Sequence, residues 1–152
     1  MLVRLFSVSA IAVLVSALAL SADEQEKKAE FVPKCVVAGT PVKPDKTADY
    51  KGAMVQFCCD NCKGKFTAEP AKYQVAANLQ LAGTGQFKQV KCPLSGQPSK
   101  ADRTVDVTGV KVAFCCENCQ AKVAEAKGDA QKELVFKNEA FDKAFELVKK
   151  DK

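Results

Sequence analysis

The 152-residue chain contains no histidine and no tryptophan. The first absence removes the commonest acid/base catalyst at neutral pH and the commonest nitrogen ligand for a metal, and most hydrolytic chemistries lose ground with it. The second, with only two tyrosines and nine phenylalanines present, leaves a thin stacking platform for single-stranded nucleic acid. A strong charge imbalance is also missing. The 23 basic and 18 acidic side chains give +5, spread along the chain rather than clustered, which reads as a solvated surface and not as a nucleic-acid or anionic-lipid patch. These absences favour a binding protein over an enzyme and argue against a nucleic-acid partner.

Long apolar runs are lacking except for one, Leu5 to Leu20, which follows Arg4 and ends at Ser21-Ala22 before the polar run Asp23-Glu24-Gln25-Glu26-Lys27-Lys28. Its 16 apolar or small residues fall short of the about 20 that a bilayer span needs. Residues 1–22 are therefore expected to be a secretory signal peptide, cleaved after Ala22 or Ala19, with no stable membrane span once it is removed. Losing it takes Arg4 alone among the charges, so 22 basic minus 18 acidic leaves +4. The expected destination is periplasmic or extracellular, an oxidising compartment in which cysteines often pair.

What the chain has in abundance is cysteine, and all eight residues obey one pattern. Residues 34–66 align without a gap to residues 91–123 at an offset of 57, with 16 of 33 positions identical. Phe57-Cys58-Cys59-Asp60-Asn61-Cys62 recurs as Phe114-Cys115-Cys116-Glu117-Asn118-Cys119, and the lone Cys35 recurs as Cys92. Such self-similarity marks a duplication. It divides the chain into a flexible lead-in at 23–33, a first module at 34–82, a linker at 83–90 and a second module with a C-terminal helix at 91–152. Modules this small seldom build a sufficient core and commonly recruit metals or disulfides.

Within each module, residues 35–39 read as a turn in which glycine takes positive φ, letting amides face the cysteine sulfur. Strands are expected at 46–51 and 53–57 around Gly52, and at 103–108 and 110–114 around Gly109, because apolar residues alternate there. A helix should follow from Asp60, a suitable cap, and from Glu117. Pro70 is expected to open a helix over 70–82 that Gly83 and Gly85 close. Residues 133–136 form a short apolar run. Phe141, Ala144, Phe145 and Val148 are spaced as a packing face of a helix over 138–150, with Asn138 as candidate cap.

The spacing of Cys58 and Cys62 straddles a strand-to-helix junction, and Cys35 can join them from the turn. Three thiolates from three local elements converging on one point make a metal site whose closure stabilises a small fold. Cys35, Cys58 and Cys62, with Cys92, Cys115 and Cys119, are the first-choice ligands. The fourth position could be Cys59 (Cys116 in the copy), a carboxylate such as Asp60, water, or nothing. Adjacent residues on a strand point oppositely, which ranks Cys59 and Cys116 lower. Zinc is the first expectation, with Cu(I) or another thiophilic ion equally suited to an open thiolate site. Two other readings stay open: four disulfides in a secreted interaction module without metal, and redox chemistry at the formal C-x-x-C segments 59–62 and 116–119.

The order cysteine, 22 residues, cysteine, three residues, cysteine, with a Gly39-x-Pro41 knuckle and a hairpin ending in Phe57-Cys58, resembles the TRASH/YHS superfamily of small treble-clef-like metal-binding domains. Residues 57–66 followed by Glu69-Pro70-Ala71-Lys72-Tyr73 are similar to the tail of a YHS domain, and the likeness covers about 34–75 and 91–123. It implies an α+β chain of two tandem treble-clef-like modules, each a knuckle turn, a β-hairpin and a helix, with additional helices. It further implies ligands at Cys35, Cys58, Cys62 and their copies, and a role in handling or sensing heavy metals, with a metal-handling or envelope protein as partner. The chain departs from the family where many YHS domains carry a second cysteine three residues after the first. Ala38 and Ser95 stand there instead.

Overall fold

The computed structural model describes residues 31–149; the expected signal peptide and residues 23–30 of the lead-in lie outside them. The fold is α+β. Strands β1 (Lys43–Tyr50) and β2 (Ala53–Phe57) lead into helix α1 (Asp60–Ala68), a 3-10 turn (Pro70–Tyr73), helix α2 (Gln74–Gly83) and strand β3 (Phe87–Gln89). There follow β4 (Lys100–Val107), β5 (Val110–Phe114), α3 (Glu117–Glu125), α4 (Gly128–Phe136), α5 (Asn138–Ala144) and β6 (Phe145–Leu147). Strand pairs β1–β2, β4–β5 and β3–β6 form three separate antiparallel sheets.

Each hairpin is set by its turn. Tyr50 pairs with Ala53 and Val107 with Val110, leaving two-residue loops, Lys51-Gly52 and Thr108-Gly109, with φ of 56° and 77° in one and 55° and 83° in the other. Positive φ at both loop positions is the primed turn whose twist matches that of the strands. Along β2, Ala53, Val55 and Phe57 are buried while Met54 faces solvent, the alternation read from the sequence. The first strands start three residues earlier than expected and are irregular between Lys43 and Thr47 and between Lys100 and Thr104.

Four expectations need correction. The helix over 70–82 divides into the 3-10 turn and α2; the tighter turn, with Lys72 N–H donating to Glu69 O, brings the Tyr73 ring within 6.4 Å of Phe66. The helix over 138–150 stops at Ala144, and Phe145–Leu147 turns into a strand that pairs with Phe87–Gln89 across the chain. Phe145 is buried all the same, so the apolar spacing could not separate the two outcomes. The apolar run at 133–136 is the end of a full helix, α4. Neither Asp60 nor Asn138 is the cap: those places belong to Cys59 and Lys137, without side-chain capping bonds.

Two aromatic clusters hold the chain together. Phe66 of α1 packs on Phe57 at 5.3 Å and edge-on to Tyr50 at 5.4 Å. A second cluster joins the intermodule strand to the C-terminal stretch: Phe141 stacks on Phe145 at 4.7 Å and meets Phe87 at 5.1 Å, with Phe136 behind. Each fully buried ring contributes about 1.5–3 kcal/mol relative to exposure. Buried Asn78 of α2 donates to Phe136 O and to Asn138 Oδ1, both at 2.8 Å, and Tyr50 Oη donates to the same Asn138 oxygen. The C-terminal helices are thereby fastened to the first hairpin, with a Lys51–Asp142 ion pair at the rim. Among the described residues no helix is long and apolar enough to cross a membrane.

Candidate metal centre

The sulfur atoms of Cys35, Cys58 and Cys62 all lie within 4.8 Å of one another, and so do those of Cys92, Cys115 and Cys119. Three elements supply each set. Cys35 sits in a turn closed by Cys35 N–H to Thr40 O (2.8 Å) and Gly39 N–H to Cys35 O (2.7 Å), with Gly39 at φ 69° where a side chain would be strained. The same two bonds recur at Cys92 and Gly96. Cys58 follows the last residue of β2 and Cys62 lies in the first turn of α1; Cys115 and Cys119 hold the matching places after β5 and in α3.

The spacing suits a metal. Four thiolates around zinc at Zn–S of about 2.3 Å stand about 3.8 Å apart along each tetrahedral edge. Cys58 Sγ to Cys62 Sγ is 3.6 Å and Cys115 Sγ to Cys119 Sγ is 3.8 Å. Cys59 and Cys116 stand outside the two trios, yet their sulfurs lie 3.7 Å from Cys58 and Cys115. They do not point away as strand alternation suggested. The strands end at Phe57 and Phe114, so Cys59 and Cys116 are helix caps in extended conformation and the period of two no longer applies. Asp60, the carboxylate considered for the fourth position, is engaged by Lys46 Nζ at 2.9 Å.

All eight cysteines are free thiols, and their surroundings divide them by charge. Burial works against ionising Cys35, but amide donors from Ala38, Cys58 and Val37 outweigh it and hold the thiol below its usual range. Cys92 is also buried, yet the Ser95 hydroxyl and the amides of Cys115, Ser95 and Leu94 bring it down to about 7. The amides of Cys62 and Cys119, at the start of each helix, are the first cause lowering Cys59 and Cys116. Cys62 is pushed up to about 12 by its bond with Cys58, by burial and by the sulfurs of Cys59 and Cys35. Burial is the leading cause at Cys119, which also rises to about 12. Without a cation the cluster shares its charge unevenly, and a bound cation is what would let every sulfur ionise.

Sequence reasoning missed the residues behind the cysteines. Gln80, buried in α2, accepts from Gln56 N–H (2.7 Å) and donates to Lys34 O and Gln56 O, joining the residue before Cys35 to strand β2. Gln89 does the same for the second centre, accepting from Ala113 N–H (2.8 Å) and donating to Lys91 O and Ala113 O. Both come from the stretch between the hairpins, including the part expected to be a linker. The only trace in the sequence is a glutamine amid the apolar residues Leu79 and Leu81. Ser95 Oγ lies 3.1 Å from Cys115 Sγ, where the first module has Ala38. Comparison of the chain with protein-family models, with curated proteins and with solved structures gave no match.

Proposed function

We propose that this protein binds a thiophilic metal ion, zinc in the first place or Cu(I), at each of two cysteine centres, and that its role is to hold and hand on that ion rather than to catalyse a reaction. The observation that carries the reading is the gathering of two separate sulfur trios, each within 4.8 Å, in a chain without histidine. Cys35, Cys58 and Cys62 are the ligands of one centre, Cys92, Cys115 and Cys119 those of the other, with Cys59 and Cys116, each 3.7 Å from one sulfur of its trio, as candidates for a fourth thiolate. The signal-peptide layout supports placement outside the cytoplasm, where a metal-handling or envelope protein is the natural donor or acceptor. The likeness of the cysteine spacing to TRASH/YHS domains agrees with this role and with treble-clef-like modules.

Elemental analysis of the reduced full chain tests the reading directly: two equivalents of metal are expected, one each after Cys35→Ser or Cys92→Ser. Protein purified without reductant that keeps its fold with no bound ion and shows a mass lower by eight hydrogens would establish the disulfide alternative instead.

A further inference from the structure

The two centres share a backbone but not a surrounding. In the second, Ser95 Oγ lies 3.1 Å from Cys115 Sγ. Gln97 N–H donates to that same oxygen at 3.2 Å and holds it in place, and toward a thiolate the hydroxyl can only be the donor. In the first centre the equivalent position is Ala38, which has nothing to donate. We propose that the second centre is the labile one, built to release its ion first, with the Ser95 hydroxyl as the group that sets the difference.

The physical reason is a differential one. A hydrogen bond to sulfur is strongest when the sulfur keeps its full negative charge and weaker when that charge is drawn into a metal bond. The Ser95 hydroxyl, which also reaches Cys92, therefore stabilises a freed thiolate of the second centre more than a ligated one, which favours release. The ion leaves unchanged in charge, and the chain's thiolates take up protons from water afterwards. The Ser95 side chain is itself solvent-exposed, so the bond lies on the side from which a competitor arrives and its effect is moderate, about three- to tenfold in rate.

This inference rests on the metal-binding reading above, and the two fail differently. The reduced full chain is loaded with two equivalents of Zn(II) and challenged with excess chromogenic chelator at fixed alkaline pH. Two phases of equal amplitude are expected, about three- to tenfold apart. Ser95→Ala should slow the fast phase until the two merge, Ser95→Thr should restore it, and Ala38→Ser should speed the slow one. In the Co(II)-loaded protein Ser95→Ala should also shift the sulfur-to-metal charge-transfer band of the second centre to lower energy, a change that a merely structural role for Ser95 would not produce. A single phase in the wild type, an unaltered fast phase in Ser95→Ala, or an unmoved Co(II) band overturns the inference while two bound equivalents keep the metal-binding reading intact. A chain that takes up no zinc removes both.

Discussion

The first hairpin-helix unit and the second trace the same path with different side chains. Elements at Lys43–Tyr50, Ala53–Phe57 and Asp60–Ala68 recur 57 residues later with the same lengths, and what the copies kept differs from what they changed. Backbone-determining features are held: the cysteines, the knuckle glycines and the positive-φ pair at each turn. An ion pair also persists although both its members changed, from Lys46–Asp60 at 2.9 Å to Arg103–Glu117 at 3.6 Å. Packing diverged. The first unit packs the half-buried Tyr50 and Tyr73 around buried Phe66, while the second has Val123 in place of Phe66, Val107 in place of Tyr50 and Val110 in place of Ala53. The lesson is that the cysteine-bearing turns need a fixed backbone and only some filling behind it, so the filling is free to adapt to different neighbours.

Removing one ligand tests whether the two centres are independent. Cys35→Ser and Cys92→Ser should each halve the metal content and cost the loaded protein several kcal/mol of stability, read as a lower Tm in the presence of zinc. Little change without zinc is expected for either. Loading at pH 7 should also release protons, because Cys62 and Cys119 keep theirs up to about 12 in the metal-free state. Apparent affinity therefore falls as pH is lowered, which titration in weakly buffered solution would register at both centres.

Exchanging the filling breaks the comparison at its packing. Phe66→Val, which gives α1 the residue of its copy, should cost about 2–4 kcal/mol in chemical denaturation, since the ring touches Phe57 and Tyr50 and leaves a cavity. The reverse change, Val123→Phe, forces a ring into a fully buried valine site and should cost about 1–3 kcal/mol. If Val123→Phe were neutral, the second unit would have spare room that its burial denies.

The glutamine clamps give a smaller contrast. Gln80→Leu and Gln89→Leu each strip one backbone N–H and two carbonyls of their partner, at about 1–3 kcal/mol. Gln80 is buried and Gln89 only half-buried, so the first should cost more, and hydrogen exchange should report it at Gln56 more strongly than at Ala113. The smallest effect belongs to the turns. Thr108 is β-branched at φ 55° and Lys51 is unbranched at φ 56°. Thr108→Asn should stabilise by under about 1 kcal/mol, whereas Lys51→Asn also gives up the Asp142 ion pair and should gain nothing.

Local signals made much of this chain readable. The second strand of each hairpin, the turn around its glycine and the start of the following helix depend on residues adjacent in sequence, so alternation and a Gly signal were enough to place β2, β5, α1 and α3. The 3-10 turn, β3 and β6 were not readable in that way. A three-residue strand has no period to detect, and Phe145 is buried whether its segment coils or extends. Among site residues, the cysteine spacing marked out the two sets. The direction of Cys59 depended on where the strand stopped, a boundary that spacing alone does not locate.

The amino-acid sequence by itself determined the duplication, the backbone of each turn and hairpin, and the division of eight thiols into two groups of four, because those follow from short-range sterics and from the order of residues along the chain. Only the tertiary structure decided which atoms stand behind the cysteines. Gln80 reaches Lys34, Gln89 reaches Ala113, Ser95 meets Cys115, and β6 finds β3. Those contacts join positions far apart in the chain, and which distant groups meet depends on how the cores pack together, an outcome that no local pattern encodes.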